Sequence, residues 1–417
     1  MSGLLRFNDI SQMKSSRVIA LLVLLLGFAF NEWAFRFIFP LEPIDSFLRL
    51  MTLVLDLFLI SFGFAFVVSK HSFGTRLKNL LQNNSRSVSL FLGLFFSYCI
   101  LMAVEFGCRY YFKLVYQAPY SEKTYWEPSA IVPDSTLGSA LHKDTVISHA
   151  YVINDSLIYR QNYRTDKYGR RINPSTHADS TYSEFVMVTG CSFAFGYGLS
   201  ESETLSHYLD SVTGRRAYNY GVSGHGTQQT LAILQSRELA AEISEQNGVL
   251  VHFFIDDHLP RLIGSRRLIK LWASNYPYYY LEDGELKRDG SFWTGRHLQS
   301  RFYRAISQSA FVDLFDIDFP LSISNRHLEL FGAVLHEAKK EFKKQYPKGQ
   351  FLVVIGPNST LAKEVTEVLE AQNVKVLDLS ALLDKEDKQY KIHWTEAHPN
   401  NKYYLEVALA IDSLLRE

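Results

Sequence analysis

Cysteine is scarce in this 417-residue chain: only Cys99, Cys108 and Cys191 occur. The first two lie in or beside an apolar run, so beyond residue 113 a single thiol remains and no disulfide can close there. Zinc-type Cys/His spacing is missing as well. The sequence offers neither a cluster of metal ligands nor a nucleotide loop, so no cofactor and no metal are expected. An excess of charge is also lacking, since 43 Lys and Arg offset 43 Asp and Glu. Nucleic-acid binding usually needs a basic face, and no nucleic-acid partner is expected. No internal repeat or low-complexity segment is present. With 47% hydrophobic and 21% charged residues, the composition is that of a folded chain resting on an ordinary core.

Long apolar runs are present, and they are concentrated at the N-terminus. Residues 18–38, 50–68 and 88–106 each approach the roughly 20 residues needed to cross a hydrocarbon core. Asn31, Glu32 and Arg36 interrupt the first. A signal peptide is the rival reading of that run, but it has no small-residue cleavage site and two further runs follow. Arg6, Lys14 and Arg17 precede the first run, and Lys70, Arg76, Lys78 and Arg86 separate the second from the third. The positive-inside rule then places both basic segments in the cytoplasm. Residues 1–113 thus read as a membrane domain of three transmembrane helices. The rest reads as extracytoplasmic: the inner or plasma membrane holds a multi-pass anchor, and in a Gram-negative cell the outer part is periplasmic. Asp56 falls inside the second run, where a carboxylate is either functional or an inter-helix hydrogen-bonding group.

Residues 114–182 are aromatic, polar and rich in turns, and they read as a linker or extension. From Phe185 the pattern changes. Short apolar runs at 185–189, 217–221, 248–255, 351–356 and 374–380 alternate with helical segments at 200–210, 227–243, 327–346 and 401–415. This alternation predicts an α/β fold, a three-layer parallel sheet with helices on both faces, over residues 183–417. An aromatic insertion at about 260–326, with Trp272, Tyr276, Tyr278, Tyr279, Tyr280 and Trp293, interrupts it. That insertion is either a lid or wall of a cleft or a packed surface excursion. Open parallel sheets hold ligands at the carboxyl ends of their strands, so chemistry is sought there.

Three such ends and a segment before the last helix carry candidate residues. The first strand runs into TGCSFAFGYG (189–198), which leaves Ser192 at a strand-to-helix turn. Its N–H points to the same space, at a helix N-terminus that favours negative charge. This suits a nucleophile; the alternative is a helix N-cap. The second strand ends in YNYGVSGHG (218–226), where Gly221, Gly224 and Gly226 permit close backbone approach. The third ends in FFIDDH (253–258), with Asp256, Asp257 and His258. HWTEAHPNN (393–401) precedes the last helix and offers His398 as general base and Glu396 as the nearest acid. A Ser-His dyad is the alternative to a triad. Cys191 as a nucleophile and His258 as a structural or substrate-contacting group are secondary readings.

In this order the four segments resemble the SGNH (GDSL-like) hydrolases, over about residues 183–417. GCSFAFGYG is similar to the first block, GDSxxxG, with Cys191 in place of its aspartate. NYGVSGHGTQQ resembles the second block and assigns Gly224 as an oxyanion donor. In VLVHFFIDDH, Asp256 stands where the third block has asparagine. EAHPN resembles the fifth block, DxxHPN, and assigns His398 as base, with Thr395 at the aspartate position. The resemblance implies an SGNH/flavodoxin-like sheet. It also implies a serine esterase or deacylase in which Ser192, His398 and Glu396 are catalytic and Ser192, Gly224 and Asp256 form the oxyanion hole. An ionised Asp256 cannot donate a hydrogen bond, so that position departs from the pattern in function as well as in letter. The substrate class implied is an O-acylated envelope glycan or lipid outside the cytoplasm. The alternatives are an O-acyltransferase component working with a membrane acyltransferase partner, and a catalytically degenerate glycan-binding domain.

Overall fold

The computed structural model describes residues 46–68, 85–115, 120–176, 182–381 and 387–417. The first expected span, residues 18–38, lies outside the described residues. Two compact units emerge: the described part of 1–117 together with 304–317, and 118–303 together with 318–417.

In the first unit, α1 (Ser46–Val68) and α2 (Ser85–Leu114) carry the second and third apolar runs. Phe58 stacks on Phe95 between them, with ring centroids 4.6 Å apart. Leu50, Leu53 and Leu57 on α1 and Leu94, Ile100 and Leu101 on α2 are each more than half exposed. One carboxylate oxygen of Asp56 is buried with no hydrogen-bond partner among the described residues. Among the described residues, no helix is long and apolar enough to cross a membrane; side chains are described over 49–61 of α1 and from residue 93 of α2. Near the end of α2, Glu105 caps the helical turn Ala310–Leu314. Its carboxylate accepts from the Ser309 hydroxyl at 2.6 Å and the Ala310 N–H at 2.8 Å. Arg109 holds that carboxylate at 2.8 Å and donates to the Gln308 carbonyl at 2.7 Å.

The second unit opens with five short strands: β1 (Glu122–Glu127), β2 (Ile131–Asp134), β3 (Gly138–Leu141), β4 (Val146–Ile153) and β5 (Ser156–Arg164). They form an antiparallel sheet in the order β1-β4-β5 and a separate β2-β3 pair. The main sheet follows, with β6 (Glu184–Gly190), β7 (Arg216–Asn219), β8 (Asn247–Phe254), β11 (Gln350–Ile355) and β12 (Lys375–Asp378). All its pairings are parallel and the order is β12-β11-β8-β6-β7. Counted along the chain that is 2-1-3-4-5, the flavodoxin-like order, whose topological switch point lies between β6 and β8.

Side chains alternate across this sheet as a strand period of two requires. Phe185, Met187, Leu250, Phe254, Val353 and Ile355 face one way, onto α5 (Thr227–Ser236), α8 (Asn325–Gln345) and α9 (Ala362–Ala371). Val186, Val188, Val249, Val251, Leu352 and Val354 face the other, onto α4 (Leu205–Thr213) and α10 (Asn401–Arg416). Both faces are therefore buried, and each such side chain contributes about 1.5–3 kcal/mol. The expected α/β fold with a parallel sheet is the fold that forms.

Some boundaries differ from expectation. The helix expected over 227–243 stops at Ser236, because Gln345 of α8 reaches across and donates to the Leu234 and Arg237 carbonyls at 3.1 Å. The insertion contains α6 (His258–Ile263), α7 (Arg266–Leu271) and a hairpin of β9 (Pro277–Glu282) and β10 (Glu285–Ser291). Asp283 and Gly284 turn that hairpin with φ of 51° and 81°, the two-residue Asp-Gly turn that matches strand twist.

Candidate active site

The switch point brings the ends of β6 and β8 together, and Ser192 sits there as the first residue of the short helix α3 (Ser192–Phe195). Cys191, not Ser192, occupies the cap position. The thiol is fully buried within the apolar cluster on the α4/α10 side of the sheet. Gly221, just past β7, abuts α3 so closely that a Cβ there would lie 2.6 Å from the Ala194 carbonyl carbon. The loop after α3 is pinned by Arg171. Its fully buried guanidinium donates to the carbonyls of Phe195, Gly196 and Leu199 at 2.8, 2.6 and 2.6 Å. Burial lowers its pKa to about 10, so it remains a cation at neutral pH.

His398 arrives from the other end of the domain. Asn400 fixes its loop: the side-chain amide donates to the Gln389 carbonyl at 2.7 Å and its oxygen caps α10 through the Lys402 N–H at 3.1 Å. The imidazole Nε2 lies 2.7 Å from the Ser192 Oγ and the Nδ1 lies 2.7 Å from Glu396 Oε1. Burial works to raise the Glu396 pKa, but the hydrogen bond and charge of His398 and the backbone N–H groups of Ala397 and His398 outweigh it, leaving it below its ordinary value. An ionised carboxylate only accepts. The Nδ1 proton therefore faces Glu396, and Nε2 is left to accept from the Ser192 hydroxyl. The structure thus brings Ser192, His398 and Glu396 together, 206 residues separating the first two. Thr395 is not in the line; its hydroxyl meets Tyr151 and His393 instead.

Gly224 is the third residue of a turn closed by the His225 N–H on the Val222 carbonyl, and its φ is 85°. Glycine is the residue that adopts this conformation without strain. With Ser192 and His398 it lines a cavity of about 550 Å³, whose apolar walls come from Ile131, Phe193, Tyr197, Ile255, Trp272 and Tyr276. A smaller hollow of about 140 Å³ shares Phe193, Ile255, Asp257 and Ala397 with it and adds Asp256, Asn358 and Ser359.

Asp256 corrects an expectation. Its carboxylate does not line the Ser192 cavity; it accepts from the Ser359 hydroxyl and from the N–H and hydroxyl of Thr360, the last two at 2.8 Å. The loop after β11 has claimed this side chain, and a carboxylate so engaged supplies no donor to an oxyanion. Asp257 does line the cavity, 3.2 Å from Arg261. His258 is buried with neither ring nitrogen partnered among the described residues. Burial foremost, then His252, Arg261 and His225 nearby, drive its pKa well below the ordinary value.

Several contributors escaped sequence reasoning. Tyr197 stacks on the His398 ring at 4.3 Å, and the Tyr159 hydroxyl donates to Glu396 Oε2 at 3.4 Å. Burial foremost, and then the Glu396 charge, raise the Tyr159 pKa far above the usual phenol range, which keeps it a donor. The extension therefore reaches the site from β5, and the insertion reaches it through Trp272 and Tyr276. For Arg171 the one sequence signal was an arginine pair directly after a tight turn, in KYGRRINP. Nothing in the sequence marked Tyr159.

No family model matches the sequence, and none of the curated proteins does. Among solved structures, the chain is similar to a protein described as a lipolytic member of the G-D-S-L family from Desulfitobacterium hafniense DCB-2, at 13% identity and a TM-score of 0.31 over 56% of this chain and 99% of that one. It is similar to an acetyl xylan esterase from the rumen bacterium Butyrivibrio proteoclasticus, at 11% identity and a TM-score of 0.37 over 72% and 98%. It is also similar to a carbohydrate esterase described as having divergent catalytic and non-catalytic binding functions, at 10% identity and a TM-score of 0.32 over 72% and 98%.

Proposed function

We propose that this chain is a serine esterase acting on an O-acylated glycan or lipid. One observation carries the reading: the unbroken line from Ser192 Oγ through His398 to Glu396, with both links at 2.7 Å. In the reaction the Ser192 oxygen bonds to the acyl carbonyl carbon while His398 Nε2 takes its proton. The carbonyl π pair moves to oxygen, where the Ser192 and Gly224 N–H groups face it. The pair then returns, the C–O bond to the alcohol breaks, and the alkoxide leaves with the proton from His398. Water adds to the acyl-enzyme by the same steps, releasing a carboxylic acid and restoring Ser192. Tyr197 and Glu396 both favour the imidazolium that forms midway.

The two adjoining cavities support the substrate class. An acyl chain suits the apolar one, and hydroxyl groups suit the smaller hollow, where Asp257 and Asn358 stand. We place the enzyme on the outer face of the cytoplasmic membrane; the apolar runs and the basic segments between them support this. The test is hydrolysis of 4-nitrophenyl acetate by the full-length protein in detergent, with modification by a fluorophosphonate. Ser192→Ala is expected to abolish both. A mutant that turns over ester as fast as wild type refutes the proposal.

A further inference from the structure

The oxyanion site described above is short of a donor. The esterase reading supplies the Ser192 and Gly224 N–H groups, while Asp256, at the third position, accepts from Ser359 and Thr360. A carboxylate held by three donors neither turns into the cavity nor donates. Another group close to Gly224 meets the need. An ideal Cβ on Gly224 would lie 3.2 Å from Trp272 Nε1 and 3.1 Å from the Tyr276 hydroxyl. Both side chains therefore press against the Gly224 backbone, and both line the cavity that holds Ser192 and His398.

The two differ in what they can do there. The Tyr276 hydroxyl, with the Ser139 side chain beside it, can accept as well as donate. The Trp272 indole N–H has no acceptor among the described residues, and indole can only donate. Its position is fixed at a joint: the Trp272 N–H closes α7 on the Leu268 carbonyl, and a 3₁₀ turn over Ala273–Asn275 follows at once. The side chain is 48% exposed, so water meets the indole N–H in the resting site, and a substrate oxygen held beside Gly224 takes that water's place.

Resting on the esterase reading, we propose that Trp272 is a catalytic residue: its indole N–H is the third donor to the oxyanion, taking over from the insertion the role that position 256 does not perform. While the carbonyl is neutral this hydrogen bond is weak. It strengthens as charge gathers on the oxygen, so its contribution falls on kcat rather than on KM.

Trp272→Phe removes the donor and keeps an aromatic wall. With 4-nitrophenyl acetate and the full-length protein, kcat is expected to fall about a hundred- to a thousandfold, the scale of one lost donor, with KM within about threefold and the pH profile unmoved. Fluorophosphonate labelling of Ser192, whose phosphoryl oxygen occupies the same place, slows in parallel. Replacing Trp272 by benzothienylalanine, which keeps the bicyclic shape without the N–H, is expected to reproduce the loss, and this separates donation from packing. Unchanged kcat in either variant overturns the proposal, as does a rise in KM at constant kcat, which would make Trp272 a substrate wall alone. If wild type itself neither hydrolyses ester nor takes the label, the esterase reading fails and this inference falls with it. If wild type is active and the variants match it, only this inference fails.

Discussion

Replacing Glu396 decides whether the site works as a triad or as a serine-histidine pair. The carboxylate touches Nδ1 at 2.7 Å, and the two side chains are only 10% and 17% exposed. With charge centres about 4 Å apart and an effective dielectric near 20, the attraction of carboxylate for imidazolium is ~4 kcal/mol. If most of that appears only when His398 is charged, its loss slows the reaction by about a thousandfold. Glu396→Ala is expected to lose this much in kcat, with KM little changed. Glu396→Gln is expected to lose at least as much, because the amide can donate to Nδ1 and so hold the proton on Nε2, where it blocks acceptance from Ser192. The assay is steady-state hydrolysis of 4-nitrophenyl acetate, with a thermal melt to show that the variants fold. Activity within tenfold of wild type in Glu396→Ala refutes the triad and leaves a dyad. An amide variant clearly faster than the alanine variant refutes the tautomer argument.

Asp256→Asn is expected to cost about 1–2 kcal/mol of stability, since an amide matches the Ser359 and Thr360 donors less well than a carboxylate, while esterase activity stays within about threefold. A tenfold gain in activity would show that position 256 reaches the oxyanion after all. Acid is expected to destabilise the fold before the carboxylates titrate. Burial lowers His149 to about 4, with His398 and Arg171 assisting against Glu396. It also lowers His225 to about 4 and His252 to about 3, from an ordinary 6.5. Between pH 6.5 and 4 the unfolded chain then binds protons that the folded one refuses. Stability falls as pH drops through that window, by up to ~1.4 kcal/mol per pH unit for each histidine. Chemical denaturation midpoints at pH 7 and pH 5 check this, and equal midpoints would contradict it.

The sheet was legible because burial on both faces leaves short near-continuous apolar runs, such as FVMV before Ser192 and VLVHFF before Asp256, in regular alternation with helical segments. The candidate reacting groups were legible as short polar motifs set against these runs: Ser192 follows β6 directly, while Glu396 and His398 stand on the loop before α10 that Asn400 fixes. The groups that support them were not. Tyr159, Tyr197 and Arg171 act through contacts across long stretches of chain, and their residue types are common in any aromatic-rich surface. The Asp-Gly pair at 283–284 was a turn signal of the ordinary kind, hidden by reading the insertion as one aromatic block.

Asp256 shows why a motif position and a role can part company. The letter at 256 differs from the resembled pattern by one atom in the side chain, yet that atom changes a donor into a pure acceptor. An acceptor at a strand end beside Ser359 and Thr360 finds three donors within reach and is bound there, not at the cavity. The loss at 256 is matched by a gain that no motif could signal, because Trp272 lies in an insertion the pattern does not include and meets Gly224 only through the fold. The site is thus assembled from four sources: the end of β6 for Ser192 and the Tyr197 ring behind His398 just beyond it, the loop before α10 for His398 and Glu396, the extension for Tyr159 against Glu396, and the insertion for the wall over Gly224. Of these, only the first two stand in the sequence as short motifs; the other two meet the site only through the fold.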